Sequence, residues 1–392
     1  MKLFVKGRKN VFPVLSDAIL EDDKIIWFHC ASLGEFEQGK PIMEKVKKSF
    51  PTYKILLTFF SPSGYEIRKN TPVADVVTYL PLDTASNAKK FLQLTHPVLA
   101  IFVKYEFWPN YLKELQKAKI PTLLSSGLFR EKQSFFTFYG GFMRARLMTF
   151  DHFFVQNTAS EELLNSINFK NVTVSGDTRF DRVSQQLAED NSLEFISEFK
   201  ENKLCIVCGS TWLEDEIVLL DTINSISEEV KIIITPHKME ASKIESLKNQ
   251  IDKKVVLYSE KEGKDLKQFS VLIIDTIGLL TKIYSEADIA YIGGAMGSTG
   301  LHNILEAATF GLPIVIGQHY DDFPEAIKLR QLAGLFSISN AEECSEIINK
   351  LINDPQFRSK TGMIAGHFVN SNTGATRETM NYIKQLHADG RI

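Results

Sequence analysis

The sequence predicts an α/β protein made of doubly wound parallel sheets, and three observations carry that expectation. Short apolar runs recur along the 392 residues, separated by longer segments with helical periodicity. Many runs are unbroken Val, Ile and Leu rather than alternating apolar and polar, which is the pattern of parallel strands covered by helices on both faces. The length exceeds what one hydrophobic core normally serves, so two successive sets of strand–helix units are expected.

In chain order, the strand candidates of the first half are residues 25–30, 54–60, 76–80, 98–103, 122–125, 153–156 and 172–175. Those of the second half are residues 204–208, 231–235, 255–258, 271–274, 289–292, 313–316 and 335–338. Between the two sets runs SQQLAEDNSLEFISEFKENK, polar and without a strand pattern, which puts a boundary between Val183 and Lys203. The expected domains are residues 1–188 and 189–371, with 372–392 a helix behind a Ser-Asn-Thr-Gly cap. Doubly wound folds bind ligands outside the C-terminal ends of their strands, so the loops after these runs are where chemistry is expected.

The first such loop, Ala31-Ser32-Leu33-Gly34-Glu35, follows residues 25–30. Glu35 suits a general base, but Ser32 and Glu35 also have capping-box spacing, and both readings stand. After residues 98–103 comes KYEFWPN, where Glu106 lies beside Trp108 and Pro109; aromatic neighbours raise a carboxyl's proton affinity, and an exposed loop acid is the alternative. Residues 135–150, FFTFYGGFMRARLMTF, combine aromatics with Arg144 and Arg146, either as a surface for anionic lipid or as a core helix with two solvated arginines. After residues 172–175, SGDTRFDR offers Arg179 as an anion ligand or as a salt-bridge partner of Asp177 or Asp181.

In the second half, Cys205 and Cys208 form a CxxC inside an apolar run, where strand geometry points them to opposite faces and suits buried thiols better than a metal or redox pair. Thr211 and Glu214 have capping-box spacing after residues 204–208. Pro236-His237-Lys238 and Asp275-Thr276-Ile277-Gly278 close two further strands. The run IAYIGGAMGSTGLHNILEAATFGLPIVIG reads as strand, glycine-rich loop, helix and strand, the arrangement with which α/β proteins hold phosphate. Asn303 is the expected helix cap there. Glu306 has two readings, as the third residue of a capping box and as an acceptor for ribose hydroxyls.

Composition narrows the partners. Hydrophobic residues make up 44% and charged residues 24%, as in ordinary globular proteins, and the net charge of −3 argues against broad nucleic-acid binding. No run approaches the roughly 18–20 apolar residues of a membrane span, and MKLFVKGRKN lacks the apolar stretch of a signal peptide. Lys2, Lys6, Arg8 and Lys9 form a basic end, either solvated or leaning on an anionic membrane.

Taken together, ASLGEFEQGKP, LLTFFSPSGYE, YLPLDT, YEFWPN, SGDTRFD and the glycine-rich run resemble the 3-deoxy-D-manno-octulosonic acid (Kdo) transferases of lipopolysaccharide assembly, in order from Trp27 to Gly317. The resemblance implies a GT-B fold, two Rossmann-like domains facing across a cleft, with the C-terminal helix returning to the first. It implies inverting transfer of Kdo from CMP-Kdo to a lipid A precursor (lipid IVA) at the cytoplasmic face of the bacterial inner membrane, without metal or other cofactor.

By position, the resemblance makes Glu35 the proton acceptor, and Glu106 and Arg179 transition-state stabilisers. It assigns CMP contacts to Pro236 and His237, to Ile277, Gly278 and Leu279, and to Asn303, Ile304, Leu305 and Glu306. Three positions depart from the family pattern. Arg179 stands where lysine is common, His237 where arginine is usual, and Ile277-Gly278-Leu279 replaces Met-Gly-Glu. The chain opens on the basic segment that follows a membrane anchor in the family, so attachment is expected to be peripheral or through an anchor outside this chain. The rival readings are a GT-B transferase or epimerase acting on a UDP-linked sugar, and a non-catalytic nucleotide- or lipid-binding module.

Overall fold

The computed structural model describes residues 2–392, without the side chains of Lys2, Leu3 and Lys6. The basic side chains of Lys2 and Lys6 noted above thus lie outside the described residues. The chain divides into two compact units, Met1–Arg182 with Asn372–Ile392, and Val183–Ser371.

The first unit carries β1 (Lys24–Cys30), β2 (Tyr53–Phe59), β3 (Val76–Tyr79), β4 (Pro97–Val103), β5 (Thr122–Gly127), β6 (His152–Val155) and β7 (Val172–Val174). They form one sheet in the order β3-β2-β1-β4-β5-β6-β7, with every pairing parallel. Alternate residues of each strand enter two cores on opposite faces. Ile25, Trp27, Leu56, Ala100 and Phe102 belong to one, and Ile26, Phe28, Leu57, Leu99 and Ile101 to the other. Burial on both faces is why these strands read as unbroken apolar runs.

The second unit repeats the plan with β8 (Leu204–Thr211), β9 (Val230–Pro236), β10 (Val255–Leu257), β11 (Val271–Ile273), β12 (Ile289–Ile292), β13 (Ile314–Ile316) and β14 (Leu335–Ser337). Its sheet runs β10-β11-β9-β8-β12-β13-β14, again parallel throughout. Cys205 and Cys208 are buried free thiols of β8, and burial pushes Cys205 up to about 12, which leaves it inert.

In each sheet the strand order reverses beside the first strand. The loops after β1 and β4 adjoin at the reversal in the first unit, and those after β8 and β12 in the second. These switch points are the ligand crevices of doubly wound sheets.

Helix Ala375–Ala388 packs on the first unit, adding Met380, Ile383 and Leu386 to one of its cores. Asp181 caps the start of this helix, accepting from the N–H groups of Gly374 at 2.6 Å and Thr376 at 2.7 Å.

Residues 135–150 are not one helix. Phe135 and Phe136 lie in a 3-10 turn, and only Gly141–Leu147 is α-helical. The break lies at Gly140, where a side chain would strike the Ser134 carbonyl. Phe135, Leu147 and Phe150 enter the core, while Phe138, Tyr139 and Phe142 stay exposed.

Candidate active site

In the first unit, β1 ends at Cys30 and the chain turns through Ala31 and Ser32 into helix Leu33–Ser49. Glu35, the third residue of that helix, accepts the Ser32 N–H on Oε2 at 2.8 Å. The capping contact is therefore made, yet Glu35 is also held in a setting suited to proton transfer. Its side chain is buried, and burial with the nearby Glu106 carboxylate pushes its pKa up to about 7. The Ser32 N–H, the Lys104 ammonium and the Ala31 N–H oppose that rise. A carboxyl with this pKa carries its proton half the time at neutral pH, which is where a general base is most effective.

Glu106 follows β4 across the switch point. It is buried, and its Oε2 accepts the Trp108 indole N–H at 2.8 Å. The same N–H lies 2.9 Å from His29 Nε2, and His29 Nε2 lies 3.4 Å from Glu106 Oε2. Between β4 and Glu106, Lys104 adopts φ 71°, a left-handed conformation that lysine seldom takes. Burial and the Arg179 guanidinium lower the Lys104 pKa, and Glu35 and Asp177 raise it.

Arg179 opens helix Thr178–Gln185. Its backbone N–H and Nε both donate to Asp177, each at 2.9 Å, so the salt-bridge reading holds for Asp177. Gln38 Nε2 steadies the same carboxylate at 3.0 Å, and Thr178 Oγ1 donates to the Gln38 carbonyl at 2.5 Å. Asp181 serves the C-terminal helix instead. The first unit thus brings Glu35 and Glu106 together with Lys104 and the Asp177-paired Arg179. Lys104 and His29 were outside the sequence reading. Lys104 carried the same signal as Glu106, a charged residue just past a strand, whereas His29 carried none.

In the second unit, three rings gather at the ends of β8, β9 and β12. The Trp212 and His237 rings stack with centroids 4.5 Å apart, and His237 and His302 are also 4.5 Å apart. The Trp212 indole N–H donates to His302 Nε2 at 2.9 Å. Burial and His237 push His302 down to about 4, while burial and Lys238 lower His237, so both rings are neutral at pH 7. The Lys238 ammonium lies 5.0 Å from the Trp212 ring centroid and supplies the positive charge of this edge. Pro236 is the last residue of β9, directly before this stack.

The glycine-rich loop after β12 runs close against β8. A side chain at Gly293 would strike the Ser210 carbonyl and Asp215, and Gly294 has φ +97°. Buried Asp215 fixes this loop, accepting from the Gly294 N–H at 2.8 Å, the Tyr291 hydroxyl at 2.9 Å and the Trp212 N–H at 2.9 Å. Asp215 also corrects the expected cap at Thr211 and Glu214. β8 runs on through Thr211, so the cap falls one residue later, on Trp212 and Asp215.

Asn303 caps the chain as expected, its Oδ1 accepting the Leu305 N–H at 3.2 Å, but the Glu306 half of the expected capping box is absent. Helix Leu305–Ala308 begins too late for it and has only four residues, too few for a sizeable dipole. The Glu306 carboxylate instead accepts from Asn303 Nδ2 at 3.0 Å and Thr281 Oγ1 at 2.9 Å, which ties helix Leu280–Ile283 to the start of helix Leu305–Ala308. Ile304 and Leu305 are core residues, so only their backbone is available to a ligand. Ile277 is largely exposed, Gly278 has φ +92° with open space at its Cβ position, and Leu279 leads into helix Leu280–Ile283.

Residues 7–182 match the family model described as 3-deoxy-D-manno-octulosonic-acid transferase (kdotransferase). The chain is 25% identical over 364 residues to a bifunctional glycosyltransferase/methyltransferase of Fusobacterium nucleatum, covering 90% of this chain and 56% of that protein. It thus spans little more than half the length of that relative. It is 24% identical over 373 residues to a 3-deoxy-D-manno-octulosonic acid transferase of Haemophilus influenzae, covering 92% of this chain and 86% of the relative. Among solved structures, UDP-GlcNAc 2-epimerase from Neisseria meningitidis bound to UDP-GlcNAc superimposes with a TM-score of 0.64 at 14% identity, over 92% of this chain and 100% of that one. This likeness and the two parallel sheets establish two Rossmann-like units of the GT-B type.

Proposed function

We propose that the chain is a member of the 3-deoxy-D-manno-octulosonic acid (Kdo) transferase family, an inverting glycosyltransferase that moves Kdo from CMP-Kdo to a lipid A precursor. The observation that carries the reading is Glu35, a buried carboxyl pushed up to about 7 beside Glu106 at a sheet switch point. Glu35 accepts the proton of an acceptor hydroxyl as its oxygen bonds to the anomeric carbon of Kdo. The bond from that carbon to the phosphate oxygen breaks, and CMP leaves with the electron pair. The anomeric centre gains oxocarbenium character, as in glycoside hydrolysis. Arg179 and Glu106 stabilise that transition state, the first by offsetting negative charge on phosphate or carboxylate.

CMP binds on the second unit through Pro236, His237, the backbone of residues 277–279, and residues 303–306. Donor binding through a neutral His237 varies little between pH 7 and 9.

The test is mass spectrometry of the product formed from CMP-Kdo, generated in situ, and lipid IVA. Addition of Kdo is expected, with kcat/KM falling about tenfold per pH unit well below pH 7 as Glu35 takes up its proton. No Kdo product, or tighter binding of UDP than of CMP, overturns the reading.

The acceptor is a membrane lipid. No helix among the described residues is long and apolar enough to cross a membrane. We place the membrane contact on Phe138, Tyr139 and Phe142, exposed aromatics of the first unit, with the Arg146 guanidinium 5.6 Å from the Phe142 ring centroid. Replacing all three aromatics by Ser is expected to weaken binding to vesicles containing anionic lipid by about tenfold or more while kcat on a detergent-solubilised acceptor is retained. Unchanged vesicle binding in a sedimentation assay excludes this face as the contact. On this reading the protein works at the cytoplasmic face of the inner membrane.

A further inference from the structure

The acid pair of the first unit rests on a buried histidine that the proposed reaction leaves without a role. His29 belongs to β1 and has no exposed surface. Its Nδ1 lies 2.9 Å from Thr58 Oγ1 of β2, which also accepts the Trp27 indole N–H at 2.8 Å. The Thr58 hydroxyl hydrogen turns to the Phe28 carbonyl at 3.4 Å. With its hydrogen on that carbonyl the hydroxyl accepts from the imidazole, an assignment that puts a hydrogen on Nδ1 and turns Nε2 to the acid.

At that end three polar atoms meet. Trp108 Nε1 is 2.9 Å from His29 Nε2 and 2.8 Å from Glu106 Oε2, and the latter two are 3.4 Å apart. The indole has one hydrogen for two acceptors. Without a second hydrogen, the buried imidazole lone pair and the largely buried carboxylate would face each other. The Phe102 ring, 5.8 Å from His29 between centroids, and the Trp108 ring, 6.1 Å away, wall the imidazole in.

We propose that His29 is a positioning residue that shares a hydrogen with Glu106, holds Glu106 and Trp108 in place, and so governs how firmly Glu35 keeps its proton. The inference rests on the reading of Glu35 as base. A hydrogen shared with His29 reduces the negative charge that Glu106 presents to Glu35. The other groups acting on Glu35 are the Ser32 and Ala31 N–H groups at the start of its helix and Lys104 past β4. Lys104 in turn faces Arg179, Asp177 and Arg130. Around His29 itself, the neighbours Thr58, Trp27, Trp108 and Phe102 are uncharged, and Glu106 is its one carboxylate contact among the described residues.

The test pairs kinetics with spectroscopy. In His29→Leu, Glu106 keeps its full charge, and the acidic limb of kcat/KM is expected to move up by about one pH unit, so that activity at pH 6 falls about tenfold more than at pH 8.5. His29→Gln, which can still donate to Glu106, is expected to restore most of that difference. An equal loss at all pH values, with the limb unmoved, reveals a merely structural role and overturns the proposal. The second measurement uses the unmodified full chain with 15N-labelled histidine, with the His29 resonance assigned by its loss in His29→Gln. The Nε2 signal is expected away from the bare lone-pair position, toward the N–H position, as a hydrogen shared with Glu106 requires. A bare Nε2 overturns the proposal. This readout needs no turnover, so it stands or falls separately from the assignment of Glu35 as base.

Discussion

Replacing Glu35 by Gln is expected to lower kcat by about a hundredfold to ten-thousandfold with little change in stability. The amide is nearly isosteric, and its carbonyl oxygen can still accept the Ser32 N–H that Oε2 holds at 2.8 Å. It cannot accept a proton from the attacking hydroxyl. Glu35→Ala removes both roles, so it should show the same kinetic loss together with about 0.5–2 kcal/mol of destabilisation from the missing cap. Single-turnover assays beside thermal melts separate the two contributions. Near-normal turnover in a folded Glu35→Gln protein would sink the assignment, because a cap alone is satisfied by the amide.

The largest effect on stability is expected at Asp215. This carboxylate serves three donors at once, the buried Gly294 N–H and Tyr291 hydroxyl and the partly buried Trp212 N–H. Burial raises its pKa, and those three bonds hold it back. Asp215→Ala strands the donors, each costing about 1–3 kcal/mol if water does not reach it, so a loss of about 3–5 kcal/mol is expected in urea denaturation of the second unit. Asp215→Asn keeps acceptor oxygen and should lose less than half as much. CMP affinity should fall in step with stability, because Asp215 holds the Gly293-Gly294 loop against β8. A CMP affinity unchanged in a destabilised Asp215→Ala protein would detach that loop from nucleotide binding.

The fold is legible in the sequence because burial on both faces leaves no polar alternation to confuse a strand with a surface segment. Ile25 to Phe28 of β1 are all fully buried, and each apolar run forms a strand. That Glu35 and Glu106 lie at the sheet's switch point is legible for a related reason: each follows a buried strand within a few residues. What escapes is whatever depends on contacts far apart in sequence. His29 is one more letter in WFHC until β2 and the loop after β4 bring Thr58, Trp108 and Glu106 to it. Asp215 looks like an ordinary helix-start acid until the loop after β12 returns to it, 79 positions on. Glu306 is misplaced by a single helical residue, enough to exchange a backbone cap for the side chains of Asn303 and Thr281. Residues 135–150 fail for a local reason, since Gly140 lets the chain pass so close to the Ser134 carbonyl that only glycine fits, and the run breaks there.

The capping of helix Ala375–Ala388 by Asp181 has a consequence for the order in which the protein is made. The first unit is discontinuous in sequence, and the whole second unit is synthesised before Met380, Ile383 and Leu386 exist. Until those residues leave the ribosome, the face of the first sheet formed by Ile26, Phe28, Leu99 and Ile101 lacks part of its cover. The second unit is complete by Ser371 and can close first, the reverse of the usual N-terminal-first order. Glu35 therefore resides in the part of the molecule that is finished last.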